Sequence, residues 1–139
     1  MSGLVIEVEA PPLKETLAVL DNGLDVYNAR FSPEHFEEFV TALKTPEGTV
    51  RGGIFALSWA GMLFIKWLWI DEAHRRHGHG RALMAAAEAE GVKRGCKAVW
   101  LDTFEFQARP FYEKLGYELF GTLDYPHGFK RFFLQKRLG

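Results

Sequence analysis

The amino-acid sequence predicts one α+β domain over residues 1–139, built around a mixed, mostly antiparallel central sheet. Met62–Ile70 is apolar on both of its faces, which is typical of a strand in the centre of a sheet. An Ala-rich helix is predicted over Arg81–Arg94, and a second central strand follows over Lys97–Asp102. The last segments, Tyr117–Leu123 and Phe129–Lys136, predict a hairpin across a turn that contains Pro and Gly.

Weaker patterns predict the other elements. Residues 36–43 fit either a helix or a strand, and the turn residues at 45–48 favour the strand. Thr49–Trp59 predicts a strand, in which Gly52 and Gly53 indicate a bulge or a close backbone contact. The remaining predictions are a first strand at Leu4–Glu9, a helix at Leu13–Tyr27 and a short helix at Gln107–Leu115 that Gly116 ends.

Composition and charge exclude several classes of protein. The chain has 139 residues, enough for one hydrophobic core, and its net charge of −1 argues against non-specific binding to nucleic acid. The longest apolar run, Met62–Ile70, is far shorter than the ~18 residues of a membrane span, and the N-terminus lacks a signal-peptide pattern. Cys96 is the single cysteine, so there is no intramolecular disulfide. We therefore expect a cytoplasmic protein.

The turn between the first central strand and the Ala-rich helix predicts an anion site. The first N–H groups of a helix have no internal partner, and the helix dipole makes that end partly positive. Glycine there lets a phosphate approach the backbone closely. Neither the Gly-x-x-x-x-Gly-Lys-Ser/Thr loop nor the Gly-x-Gly-x-x-Gly fingerprint is present. The residues predicted to bind a diphosphate are Arg75, Arg76, His77, Gly78, His79, Gly80, Arg81 and Ala82.

Two motifs identify a family. The Arg-x-x-Gly-x-Gly pattern of residues 75–80 resembles the coenzyme A pyrophosphate loop of the GNAT superfamily of N-acetyltransferases. Residues 101–117 resemble the second hallmark of that family, with matches at Ala108, Tyr112, Lys114, Gly116 and Tyr117. The resemblance implies a sheet flanked by helices on both faces and acetyl-CoA as co-substrate. It also implies transfer of the acetyl group to a primary amine of a small molecule or protein, by direct attack in a ternary complex, and it allows a homodimer.

The resemblance also implies roles for individual residues. The backbone of Leu68, Trp69 and Ile70 would splay from the neighbouring strand and bind pantetheine. Tyr112 would protonate the leaving thiolate, since a phenol is protonated at neutral pH. Many members carry Asn where this chain has Glu105, and Gln107 would take over the amide role towards the pantetheine arm.

The base and the acceptor site are less defined. Asp102 is the best candidate for a general base, ahead of Glu72, and the reaction can also proceed without a dedicated base. The residues predicted to contact the acceptor are Tyr27, Asp102, Glu105 and Tyr125. His74, His77 and His79 are too loosely spaced for a metal centre, so no metal is expected. Two alternatives stay open: a non-catalytic acyl-CoA-binding sensor or regulatory domain, and a phosphate-binding structural protein or nucleic-acid partner, which the near-neutral net charge disfavours.

Overall fold

A computed structural model describes residues 3–32 and 34–139. It confirms the α+β class and the mixed, mostly antiparallel sheet. The helices and strands, in chain order, are α1 (Lys14–Asn28), β1 (Glu37–Lys44), β2 (Val50–Trp59), β3 (Met62–Ile70), a 3-10 turn (Glu72–His74), α2 (His79–Lys93), β4 (Ala98–Phe104), α3 (Arg109–Lys114), β5 (Glu118–Asp124) and β6 (Lys130–Arg137).

The strands form one six-stranded sheet in the order β1-β2-β3-β4-β6-β5. Neighbouring strands are antiparallel except for β3 and β4, which run parallel. That parallel pairing is short, because it ends at Ile65 on β3 and Leu101 on β4. At the same point Lys66 is an extra residue opposite β2, and such a bulge bends a strand. The second halves of β3 and β4 therefore diverge.

Two glycines on β2 allow close backbone contacts, Gly52 with the end of β3 and Gly53 with β1. A Cβ at Gly52 would lie 2.7 Å from the carbonyl oxygen of Trp69 and 2.9 Å from the Cα of Ile70. A Cβ at Gly53 would lie 2.7 Å from the carbonyl oxygen of Thr41 on β1. The predicted close backbone contact is therefore confirmed at both positions.

The core lies on the face of the sheet that α2 covers. Leu83, Met84 and Ala87 of α2 are buried in one cluster with residues of the central strands. The helix lies close because Gly91 has no side chain: a Cβ there would lie 2.8 Å from a methyl carbon of Leu63. Burial of apolar surface of this kind is the main favourable term in folding. The other buried members are Ile54, Ala56, Leu63, Ile65, Cys96, Val99, Leu101, Tyr112, Tyr117, Phe132 and Leu134.

The N-terminal prediction was wrong in one part. Residues 4–9 alternate in sequence but form no strand. A strand needs a neighbour for its backbone groups, and this segment has no ladder partner within the described residues. The helix predicted after it is confirmed as α1. The chain divides into two compact units, Met1–His35 and Phe36–Gly139, and every strand lies in the second.

Candidate active site

A cleft of about 1000 Å³ is lined by the diverging halves of β3 and β4 and by the segments that follow them. All of its lining residues lie within 36–139. Most of the predicted coenzyme-binding residues meet there. Those that line the cleft are Leu68, Trp69, Ile70, Arg75, Arg76, Gly78, His79, Gly80, Arg81, Gln107 and Tyr112.

The first part of the loop after β3 is held by side-chain hydrogen bonds. The Asp71 carboxylate accepts hydrogen bonds from the backbone N–H and the ring Nδ1 of His74, and so caps the 3-10 turn. These hydrogen bonds hold the pKa of Asp71 below its usual value. The Nε of Arg75 donates to the carbonyl oxygen of Ile70 at 2.8 Å. Sequence reasoning missed Asp71, although an Asp three residues before a turn donor is a common capping signal.

The predicted anion site is a helix start with three free donors. Gly78 stands before α2 with φ +81°, a left-handed conformation that favours glycine. The Ala82 N–H donates to the Gly78 carbonyl at 3.1 Å, so the first unpaired helical N–H groups are those of His79, Gly80 and Arg81. These groups suit a diphosphate. Ala82 does not line the cleft and its N–H is already used, so its predicted contact with the coenzyme is not supported by this geometry and stays a prediction.

Gly80 also has a packing function that the sequence did not predict. A Cβ there would lie 3.2 Å from the ring carbon Cζ of Phe111 and 3.7 Å from the Cδ1 of Ile70. Its missing side chain therefore lets the first turn of α2 pack on α3 and on the end of β3. The backbone freedom at this loop is needed at Gly78 instead.

Gln107 closes the turn between β4 and α3. Its Oε1 accepts from the Phe104 N–H at 2.7 Å and from the Thr103 hydroxyl at 3.3 Å. Thr103 Oγ1 in turn accepts from the Ala108 N–H at 3.3 Å. Because a backbone N–H can only donate, the Gln107 atom that faces it is the oxygen, and the side-chain NH₂ is left to donate to a ligand.

Tyr112 is held in the wall of the cleft. Its side chain is 7% exposed, and burial, with a smaller effect of the Asp102 charge, raises the pKa of Tyr112 to about 12. Its ring packs against Phe111 and Tyr117, at centroid distances of 5.1 and 6.0 Å. Within residues 36–139 the Tyr112 hydroxyl has no hydrogen-bond partner, and it is not sealed from the cleft. The group is therefore a protonated phenol that is free to donate.

Asp102 lines the cleft but is already paired. Its Oδ1 accepts from the Nε of Arg131 at 3.0 Å and lies 2.9 Å from the Nη2. Oδ1 is therefore already used by the guanidinium rather than left for an attacking amine. The geometry therefore disfavours Asp102 as a general base. The Tyr125 hydroxyl accepts from the Nη1 of the same Arg131 at 3.3 Å.

This geometry can be compared with known proteins. The family model described as "Acetyltransferase (GNAT) family" matches residues 10–117. The chain belongs to the GNAT family of acetyltransferases. It is 33% identical to an acetyltransferase of Agrobacterium fabrum over 72% of this chain and 74% of the relative. It is 34% identical to blasticidin-S acetyltransferase of Streptomyces morookaense over 73% of this chain and 76% of the relative.

A solved structure agrees with these relatives. An acetyltransferase from Bacillus cereus ATCC 14579 superimposes with a TM-score of 0.83 at 31% identity, covering 97% of this chain and 98% of that one. This GNAT protein is therefore an acyltransferase with acetyl-CoA as its co-substrate. The cleft fits acetyl-CoA, because it combines the free N–H groups at the start of α2, the side chains of Arg75, Arg76 and Arg81, and the edge of β3 that does not pair with β4.

Besides Ala82, three predicted residues of this GNAT chain, Glu105, Tyr125 and His77, lie outside the lining of the cleft. The Glu105 carboxylate accepts from the Lys130 N–H at 3.1 Å and so braces β6, and its contact with the acceptor stays a prediction. Tyr125 acts on the cleft only through Arg131. His77 contacts the His79 ring at a centroid distance of 6.1 Å and does not line the cleft. Tyr27 belongs to α1, in the Met1–His35 unit, and its contact with the acceptor stays a prediction.

Two further properties of the described residues bear on other functions. No three or more His, Cys, Asp or Glu side chains come together there in a way that would hold a metal ion. None of the described helices has both the length and the apolar character needed to cross a bilayer.

Proposed function

We propose that this enzyme acetylates a primary amine of a small molecule, by direct attack of the amine on acetyl-CoA, with Tyr112 as the general acid. The observation that carries the proposal is the protonated Tyr112 hydroxyl, unpartnered at the wall of the cleft. A small-molecule acceptor is supported by the relative named blasticidin-S acetyltransferase.

Different residues of the cleft would bind different parts of acetyl-CoA. The N–H groups of His79, Gly80 and Arg81 would hold the diphosphate, with charge from the arginines of the loop. The edge of β3 beyond Ile65 would bind the pantetheine arm, because its backbone groups no longer pair with β4. A free N–H on that edge would stabilise the charge that develops on the thioester oxygen.

Proton transfer then involves one side chain and the solvent. The amine nitrogen bonds to the carbonyl carbon of the acetyl group, and the bond from that carbon to sulfur breaks. The Tyr112 O–H gives its proton to the departing sulfur and regains one from water. The attacking nitrogen loses its proton to water, since the carboxylate that lines the cleft is held by Arg131.

A turnover assay tests the proposal. Release of free coenzyme A from acetyl-CoA is followed with a panel of primary amines that includes blasticidin S, and the acetylated product is confirmed by mass. Amine-dependent release with at least one member is expected. Saturable binding of acetyl-CoA without transfer to any amine would contradict the proposal and favour the non-catalytic sensor. The same mixtures without the protein serve as the control for uncatalysed acetylation.

A further inference from the structure

The cleft carries more positive charge than its coenzyme loop requires. Within residues 36–139, its lining contains five Lys and Arg side chains and one carboxylate, Asp102. Three of the cations, Arg75 and Arg76 in the loop between β3 and α2 and Arg81 in the first turn of α2, lie where a diphosphate is expected. The other two, Lys66 and Arg131, lie on strands of the sheet. They leave a cationic region beside the divergence of β3 and β4.

Lys66 and Asp102 mark the start of this region. They directly follow Ile65 and Leu101, the last residues that pair between β3 and β4. The Nζ of Lys66 lies 5.3 Å from the ring centroid of Trp67, and within residues 36–139 no carboxylate pairs with it. With Arg131 and Asp102 the group of three charges keeps a net charge of +1.

Arg131 is held in a fixed orientation. The Asp102 carboxylate accepts a hydrogen bond from its Nε and pairs with its Nη2, and the Tyr125 hydroxyl accepts from its Nη1. The guanidinium carbon also lies 5.4 Å from the ring centroid of Phe104 and 5.3 Å from that of Phe133. A guanidinium has five N–H donors, so about two remain unused. An arginine that is oriented in advance loses little entropy when it binds a planar anion.

The tyrosine that orients Arg131 is itself fixed by aromatic packing. Its ring stacks on Phe129 at 5.1 Å and meets Phe104 edge to face at 5.4 Å. Phe106 adds to the same cluster, at 5.3 Å from both of those phenylalanines. The ion pair of Arg131 with Asp102 is partly buried, and the aromatic rings around Tyr125 give it the precise orientation that a binding site needs.

We propose that Arg131, assisted by Lys66, binds a carboxylate on the acceptor, so that the preferred substrate is a small amine that also carries a carboxylate. Asp102 and Tyr125 are then positioning residues rather than groups that touch the reacting atoms. The inference rests on the proposed function and narrows its substrate class. A polyamine would meet Lys66 and Arg131 as like charges, with no free carboxylate in the cleft to offset them.

The test compares matched acceptors. Each amine of the panel is offered with a free carboxylate and as the corresponding carboxamide, and kcat/KM is measured at saturating acetyl-CoA. A hydrogen-bonded charge of this kind predicts a preference for the carboxylate of about 10- to 100-fold. Arg131→Met should remove the preference while leaving the KM for acetyl-CoA unchanged. Tyr125→Phe should raise the KM for the carboxylate acceptor with little change in kcat.

The matched control is Lys130→Met. It removes the same charge one residue away, from a side chain that pairs with Asp124 and lies outside the cleft lining. It should leave the preference intact.

Equal use of carboxylate and carboxamide by the unaltered enzyme would overturn the inference and leave the proposed function standing. An Arg131→Met protein that loses both activities equally would also overturn it. Binding of the carboxylate acceptor to the protein saturated with coenzyme A, measured by calorimetry, tests the inference even if no transfer occurs. If the carboxylate acceptor binds no more tightly than the carboxamide in that measurement, the inference is refuted.

Discussion

Replacing Tyr112 by Phe separates the chemistry of this site from its packing. The substitution removes one oxygen from a buried side chain and keeps the ring against Phe111 and Tyr117. Since no protein group bonds to that hydroxyl within residues 36–139, its removal leaves no donor or acceptor unpaired. We therefore expect the melting temperature and the affinity for coenzyme A to stay close to those of the unaltered protein.

The expected loss of rate follows from the two pKa values involved. General acids contribute about 10²- to 10⁴-fold. The pKa of Tyr112 is raised to about 12, whereas an ordinary thiol has a pKa of about 8.5. Complete proton transfer to a free thiolate is therefore uphill, and the benefit comes from partial transfer as the bond to sulfur breaks. The effect should lie near the lower bound, at about 10²-fold in kcat, or about 2.7 kcal/mol.

The assay is steady-state release of coenzyme A with an acceptor found in the amine panel. The rate at saturating acetyl-CoA should fall while the KM for acetyl-CoA stays similar, which marks an interaction made only in the transition state. If Tyr112→Phe retains the full rate from pH 6 to 10, Tyr112 is a packing residue and water protonates the thiolate.

Three further predictions come from the same structure. Because the pKa of Tyr112 is raised to about 12, the general acid stays protonated below pH 10. The kcat/KM for the acceptor should therefore rise with pH as the amine loses its proton, with no alkaline decline below pH 10. A decline that begins at pH 8 would contradict this prediction. Gly78→Ala should lower stability by about 1–2 kcal/mol in thermal or chemical unfolding because φ is +81°, and Gly78→Asn, which tolerates that conformation, by less; equal losses would refute the assignment. Gly52→Ala should raise the KM for acetyl-CoA by displacing the end of β3, whereas Gly121→Ala, whose Cβ would be 3.8 Å from Phe133, should not; identical KM values in both variants would show that β3 tolerates the change.

The part of the site that could be predicted from sequence depends on residues that are close in the chain. The anion loop is a strand end, a glycine turn and a helix start within residues 68–82, so spacing alone places its donors together. The divergence of β3 and β4 was implied by the family resemblance, and the pairing confirms it. Tyr112 belongs to a continuous motif in the same way, although its role as the acid stays a prediction.

The part that could not be predicted depends on the register between distant strands. Arg131 and Asp102 are twenty-nine residues apart in the chain, and they meet because β6 pairs with β4. No local sequence pattern predicts the register of that pairing. The same pairing places Arg131 beside Asp102, so the residue that the sequence predicts as a general base is held in an ion pair. The strand prediction for Leu4–Glu9 was wrong for a related reason. Alternation of apolar and polar residues specifies the two faces of a strand but not its partner strand.

The positive charge of the cleft also bears on how the amine is activated. Direct attack needs a neutral amine, and within residues 36–139 no free carboxylate lines the cleft to take its proton. Like charges disfavour the ionised form of an ammonium group, so Lys66 and Arg131 would lower the pKa of an amine bound near them. A carboxylate on the acceptor would meanwhile be attracted by those same two cations. Such a carboxylate would offset the net charge of +1 that Lys66, Arg131 and Asp102 carry together, so these charges select the acceptor, and its amine still gives up its proton to water.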